Sequence, residues 1–340
     1  MLSGIGDNDH LKEIGIKTIL HSPEVGRNLQ DHLLVGLSFD TRDATSTDIL
    51  ASTRLSSWTS YLSGEGPLTS PSLDGVAQLS TKVNEDTRGR PDIQLHLLGL
   101  SMATDYGLQL RHNVGRRIRV NKLNIILLSG IDDAMTAWSL KHSVNYSSSI
   151  MPTLNRPKSR GFIKLRSSDP REYPIIQPNY LTVQHDVDTL VAGLTKSLEI
   201  LNTKVMADAG ARLWPEPLPH CQHLEFLSQA YLECFVRHGA STVYHHVGTC
   251  AMGTVLDNKY DNYTMAMPCL VKLQEQLCRM KVIGIERLRV VDGSAMPLIV
   301  GGNTNAPIIM MAEKAADMVI NDYDKRREIR IETEKNKVEL

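Results

Sequence analysis

Between Leu288 and Met318 the chain spells out a strand, a loop and a helix in succession, and such a unit requires a sheet with helices laid on it. Leu288-Arg-Val-Val291 is a short apolar run whose one charge is Arg289, the pattern of a strand inside a sheet, and Asp292 and Gly293 end it. Pro307 suits a first helical position, because its missing N–H would go unpaired there anyway. A helix is therefore predicted to begin near it, with Asn305 close to the cap. Ile308, Met311, Ala312, Ala315, Met318 and Val319 recur at helical spacing and should turn one apolar face to the sheet. The loop between, Gly301-Gly302-Asn303-Thr304, has little bulk and many donors. A helix N-terminus behind such a loop offers free N–H groups and partial positive charge to an anionic ligand atom.

Read together with Thr242-Val-Tyr-His-His-Val-Gly-Thr-Cys-Ala-Met-Gly253, this stretch resembles the glucose–methanol–choline (GMC) family of flavin oxidoreductases. Leu2-Ser-Gly-Ile-Gly6, Val25-Gly-Arg-Asn-Leu-Gln-Asp-His32, Arg156-Pro-Lys-Ser-Arg-Gly161 and Tyr173-Pro-Ile-Ile-Gln-Pro-Asn-Tyr180 are similar to further segments of that family. They stand in the right order, so the likeness runs from residue 2 to residue 318, and its pattern is nearest the animal glucose-dehydrogenase-like branch. The resemblance implies a fold of mixed α/β and α+β class, in which an incomplete FAD-binding α/β domain joins a mainly antiparallel-sheet substrate domain backed by helices. It divides the chain into an FAD-domain remnant at 1–33, a substrate domain at 34–240, a return through the histidine motif to the FAD domain at 241–323, and a charged tail at 324–340.

The middle of the chain agrees with such a mixture. Leu33 to Phe39, Ile93 to Leu100 and Gly161 to Arg166 read as strands, Leu123 to Leu128 as strand or helix. From Asp186, the stripe Val187, Leu190, Val191, Leu194 and Leu198 predicts a packing helix. In the first segment Asp9, Leu11 and Ile14 predict a helix stopped by Gly15, followed by a strand at Thr18 to Leu20. Two stretches depart from the family: the basic run Gly115 to Lys122 and the segment Met265 to Lys281. The tail from Lys325 to Lys337 reads as a solvated or frayed end.

Charge is balanced, with 37 Lys+Arg against 38 Asp+Glu, which argues against a nucleic-acid or anionic-membrane partner. No apolar run reaches the length of a membrane span. Met1-Leu-Ser-Gly-Ile-Gly6 passes straight into charged residues, unlike a signal peptide, and taken literally predicts a cytosolic chain. The family's Gly-x-Gly-x-x-Gly unit has no match here, since Gly4-Ile-Gly6 is followed by Asp9 where the third glycine belongs. The chain is therefore expected to be the C-terminal part of a longer, extracellular flavoprotein. Sequons at Asn145 and Asn262 are compatible with secretion. Cys221 and Cys234 flank a predicted helix, either paired in an oxidising compartment or as two free thiols. His220-Cys221-Gln222-His223 lacks a second ligand pair at zinc-site spacing, and no metal is expected.

The implied chemistry is oxidation of an alcohol CH–OH group, with the hydroxyl proton taken by a base and hydride passed to N5 of FAD. By match to Tyr-His-x-x-Gly-Thr, His245 takes the base position. His246 stands beside it, and strand alternation would send the two to opposite faces. Taken alone, a histidine pair is more often a structural feature than a catalyst. Asn303 matches the partner position, where an amide would hydrogen-bond the substrate oxygen; its other reading is a turn or cap bond. Asp292 and Gly293 are expected at the ribityl–phosphate portion of FAD, with Asn303, Thr304 and Asn305 at the flavin edge near the helix start. Asn28 and Asp31 read either as loop-fixing residues or as ligand contacts. The implied partners are an alcohol or sugar substrate and quinone or oxygen as electron acceptor. The competing readings are a catalytically inactive fragment or pseudoenzyme acting as a binding protein, and a hydrolase. The hydrolase is disfavoured by the missing Gly-x-Ser-x-Gly and His-Glu-x-x-His motifs.

Overall fold

The computed structural model describes residues 1–42, 55–69, 73–81, 83, 90–101, 138, 141, 147–257 and 279–338. The runs 115–122 and 123–128, both sequons, and 265–278 lie outside the described residues. In chain order the main elements are β1 (Ile5–Gly6), α1 (Asn8–Glu13), β2 (Leu20–His21), β3 (Leu33–Leu34), β4 (Leu37–Asp40), α2 (Leu55–Leu62), β5 (Leu73–Leu79), β6 (Ile93–Leu98) and β7 (Ser147–Leu154). There follow β8 (Phe162–Lys164), β9 (Ile175–Gln177), α3 (Gln184–Leu201), α4 (Lys204–Asp208), β10 (Arg212–Leu213), α5 (Gln229–Gly239), β11 (Ser241–Thr242) and α6 (Asn305–Val338). They cluster into two compact units, 1–32 with 157–182 and 244–340, and 33–156 with 183–243. Residues 157–182, which fall inside the 34–240 segment of the sequence reading, cluster with the two terminal segments instead.

The second unit is built on a seven-stranded sheet in which every pairing is antiparallel. Its centre is β7, buried at all eight positions, with β6 on one side and both β4 and β3 on the other. The expected single strand from Leu33 to Phe39 is two strands, because β7 passes from one to the other at Pro152. Pro152 has no N–H for a ladder, and its carbonyl accepts from Val35 N–H between β3 and β4. Two of the three serines of β7 pair their hydroxyls, Ser149 with Ser38 at 3.0 Å and Ser147 with Ser101 at 2.7 Å, so the burial of these two is satisfied. Helix α3 lies on β6 and β7 through Val187, Leu190, Val191 and Leu194. It comes so close that a Cβ on Gly193 would sit 2.7 Å from Pro152 Cβ. Cys221 and Cys234 are joined in a disulfide that ties the turn before α5 to that helix.

In the first unit β1 and β2 pair in parallel, with Ile5 opposite Leu20, as an α/β domain requires. Between them Asp7 caps α1 by accepting from Asp9 and His10 N–H, and Gly15 turns the chain back at φ 75°. β8 and β9 pair antiparallel. The core holds Val247, Met252, Val255, Leu256, Met280, Val282, Ala295, Met296, Met311 and Ala315. Burying each of the larger side chains contributes roughly 1.5–3 kcal/mol.

Two expectations for the C-terminal stretch need correction. Leu288–Val291 is no strand among the described residues: Arg289 makes a single antiparallel bridge with Lys281, flanked by Val282 N–H to Leu288 O and Val290 N–H to Met280 O. A strand is defined by its neighbours, and among the described residues only 279–282 runs beside it. The helix starts at Asn305, two residues ahead of Pro307, and its buried face follows Thr304, Ile308, Met311, Ala315, Met318 and Asp322. Ala312 and Val319 are exposed, one position off that stripe. Of the two readings of the charged tail, solvated or frayed, the solvated one holds: α6 continues through it to Val338, and residues 323–333 are exposed.

Candidate active site

Residues 26–32 form a strap to which the other motifs of the first unit are tied. Leu29 bridges Gly161 and Gln30 bridges Val247, both antiparallel. Asn28 adopts φ 60°, a left-handed conformation that asparagine tolerates. Its amide donates to the carbonyls of Gly248 (3.3 Å) and Pro297 (3.1 Å), and its Oδ1 accepts from Arg160 Nε at 3.1 Å. One side chain thus joins segments more than two hundred residues apart, which a turn-fixing role did not anticipate. Gln30 adds a bond from Nε2 to Pro297 O (3.0 Å) and accepts Ile299 N–H at Oε1 (3.3 Å).

The two residues that follow face the histidine pair. Asp31, 4 % exposed, accepts the backbone N–H of His245 at Oδ1 (2.9 Å) and the Tyr180 hydroxyl at Oδ2 (2.6 Å); Oδ2 also lies 3.3 Å from His246 Nε2. His32, 1 % exposed, brings Nδ1 to 2.9 Å from Nδ1 of His245, with the two rings edge to face at 84°. Strand alternation is not what separates His245 from His246. β11 stops at Thr242 and Tyr244 turns left-handed at φ 60°, and this turn sends His245 to His32 and His246 to Asp31 and Tyr180. His245 is half-buried and His246 exposed. Burial pushes the His245 pKa below its ordinary value; Asp31 pulls it up and His246 pushes it further down, and the balance is a lowering. Its ring is therefore neutral at neutral pH, as a base requires.

Gly248 holds this turn against the strap. Its φ is 100°, and a Cβ there would meet Asn28 O at 2.3 Å, so no other residue fits. From Gly248 the chain runs beside 293–295, with Gly248 N–H to Gly293 O (3.3 Å), Cys250 N–H to Ser294 O (2.9 Å) and Met252 N–H to Ala295 O (3.0 Å). Gly293 is buried between the His246 carbonyl and Ile308, one turn into α6, at 3.3 and 3.2 Å from the place of its absent Cβ. The close approach it permits is thus to its own chain. Asp292 is exposed, and its carboxylate accepts Ser294 N–H and Oγ–H. Asn303 is exposed in the loop before α6, Thr304 is buried and accepts Ile308 N–H at its carbonyl (3.0 Å), and Asn305 is exposed as the first helical residue. The N–H groups of Asn305 and Ala306 have no acceptor within the helix.

Asp31, His32 and Tyr180 are the residues that sequence reasoning did not single out as partners of the base. They stand inside the two motifs 25–32 and 173–180, whose coincidence with the histidine motif was the available signal.

These segments lie in a chain that is similar to known proteins along most of its length. Residues 157–266 and 278–312 match the family model described as GMC oxidoreductase. The chain is 33% identical over 318 residues to the glucose dehydrogenase [FAD, quinone] of Drosophila melanogaster, covering 93% of this chain and 44% of that protein. It is 32% identical over 329 residues to the alcohol dehydrogenase [acceptor] of Pseudomonas putida, covering 95% and 49%. Among solved structures, formate oxidase superposes with a TM-score of 0.68 at 21% identity, over 95% of this chain and 52% of that one, a likeness of fold. The chain thus spans about half the length of the relatives it matches.

Proposed function

From its membership of the GMC oxidoreductase family, we propose that this chain carries the base and the substrate-orienting residues for FAD-dependent oxidation of an alcohol or sugar CH–OH group. The observation that carries the reading is the half-buried His245, fixed at its backbone by Asp31 and at its ring by His32. The donor set suits one end of FAD. The exposed start of α6 offers the N–H groups of Asn305 and Ala306, which the helix itself leaves without acceptors, and the positive end of the helix dipole to an electron-rich flavin edge. FAD, when bound, supplies the acceptor for the hydrogen and electron pair that leave the carbinol carbon.

The chain's own part is to move a proton and hold an oxygen. His245 takes the hydroxyl proton at Nε2, and Asn303 donates its amide to the same oxygen, which keeps the reacting C–H in one orientation. Asn303 does not titrate, so the pH dependence belongs to His245. The exposed Asp292 is assigned to the ribityl–phosphate portion of FAD, and quinone or oxygen to the role of terminal electron acceptor. The Cys221–Cys234 disulfide supports an extracellular, oxidising setting.

The test starts from the purified chain incubated with FAD, desalted, and mixed anaerobically with glucose, choline and simple primary alcohols. A retained flavin band that bleaches with one of these would mean that these residues hold the cofactor unaided; in a longer protein that also carries the pyrophosphate-binding unit, we expect a His245→Ala variant to keep its flavin and to bleach about 10²–10⁴-fold more slowly. Equal bleaching rates would remove His245 from the chemistry. A colourless chain would mean that it is a fragment whose chemistry must be sought in a longer product, where the same assay is repeated.

A further inference from the structure

The contact between His32 and His245 constrains where a proton can be. Two imidazole Nδ1 atoms 2.9 Å apart hold one proton between them, since two lone pairs or two N–H groups facing each other at that distance would repel. Either His32 donates, and His245 carries its own proton on Nε2, or His245 donates, and its Nε2 is bare. The tautomer of one ring is set by the bond the other makes.

The surroundings separate these two states. His32 is 1 % exposed, whereas His245 is half-buried with the Asp31 carboxylate accepting its backbone N–H. A second proton entering the pair is best borne by the more solvated ring, nearer the negative charge. His245 can accept it at Nε2 without disturbing the shared proton only if that shared proton already belongs to its own Nδ1. In the opposite state Nε2 of His245 is occupied, and the ring cannot act as a base there until the shared proton has moved. Among the described residues, Asp31, Tyr180, His32 and His246 are the titratable groups around the ring. Tyr180 and His246 engage Asp31 Oδ2, which leaves the Nδ1 of His245 to His32.

We propose that His32 is a positioning residue that accepts the Nδ1–H of His245 and so holds it in the Nδ1–H tautomer with Nε2 free to take the substrate's proton. The inference rests on the reading of His245 as base, but its test does not require turnover. Burial disfavours a charged His32 and so keeps one of its nitrogens free to accept, and the edge-to-face packing of the rings sets the plane in which Nε2 of His245 points.

The chain is labelled with ¹⁵N-histidine, and long-range proton–nitrogen correlations are recorded above the pKa of His245, whose signals are assigned by their loss in His245→Ala. The expected pattern is a protonated Nδ1 and a bare Nε2 on His245. His32→Gln, whose Oε1 can still accept, should keep that pattern. His32→Leu should shift His245 towards the Nε2–H form. A wild-type His245 with its proton on Nε2 overturns the proposal, as does a His32→Leu variant with well-dispersed signals and an unchanged tautomer. If the leucine variant loses its fold, the wild-type pattern and the glutamine variant decide. The flavin-bleaching assay of His245→Ala is independent, so failure of the base reading and failure of the tautomer assignment are told apart.

Discussion

Asp31 does more than any other single residue to assemble the site, since its two oxygens receive the His245 backbone, the Tyr180 hydroxyl and the side of His246. Replacing it by asparagine keeps the shape and removes the charge, so one buried donor must face an NH₂ group. The cost should be about 1–3 kcal/mol in a urea titration, the penalty of a buried group left unpaired. The same variant should lower the His245 pKa further, because Asp31 is the group that raises it, whereas His246→Ala should raise it. In the wild type the folded pKa of His245 lies below the unfolded value of about 6.5. Its contribution to stability is therefore fully present above about 6.5 and is lost as pH falls through the folded pKa. Histidine titration by NMR reads all three effects, and an acid limb of the oxidation rate above 6.5 would contradict the assignment. At this scale the sequence named His245 and Asn303 through their motif, but not His32 or Asp31 as partners. A contact across more than two hundred residues leaves no periodicity to read.

Helices with a long apolar stripe were legible. Val187, Leu190, Val191 and Leu194 announced α3, and the stripe around Met311, Ala315 and Met318 announced α6, with an error of one position at Ala312 and Val319. Strand β7 was not, because Ser147-Ser-Ser and Pro152 argue locally against a strand, and only the hydroxyl pairs and the split between β3 and β4 make them fit. The segment expected as strand 288–291 is held by charge instead. Asp322 on α6 receives Arg289 at 2.6 Å, Arg279 at 2.9 Å and Lys281 at 3.1 Å. Burial pushes the Asp322 pKa up, but the bonds from Arg289 and Lys281 and the charge of Arg279 outweigh it and bring it down to about 2. With a folded pKa depressed below the unfolded value of about 3.9, the stabilisation is complete above about pH 4 and lost as pH falls through about 2. Asp322→Asn should cost on the order of 1–2 kcal/mol at neutral pH. It should also speed amide hydrogen exchange in 279–290, and unchanged exchange there would mean that the segment is held by its apolar packing alone.

At the scale of the molecule, the chain crosses between its two units four times, at 32/33, 156/157, 182/183 and 243/244. A partition drawn as consecutive segments therefore follows most of the second unit, whereas the strand pair β8–β9 clusters with the terminal segments, and no composition shift marks those crossings. Such interleaving makes many native contacts distant in sequence, which raises the entropic cost of closing the fold. A crosslink inside one unit offsets part of that cost. The Cys221–Cys234 disulfide, with a sequence separation of 13, removes loop entropy from the unfolded second unit. Loops of that size correspond to about 3 kcal/mol. We expect the urea midpoint of the chain to fall on reduction, and a Cys221→Ser, Cys234→Ser double variant to match the reduced protein without responding to reductant itself. Mass spectrometry of the unreduced, alkylated chain should find neither thiol modified. Modification of both cysteines, together with an unchanged midpoint, would return them to the free-thiol alternative and withdraw the support they give to an oxidising compartment.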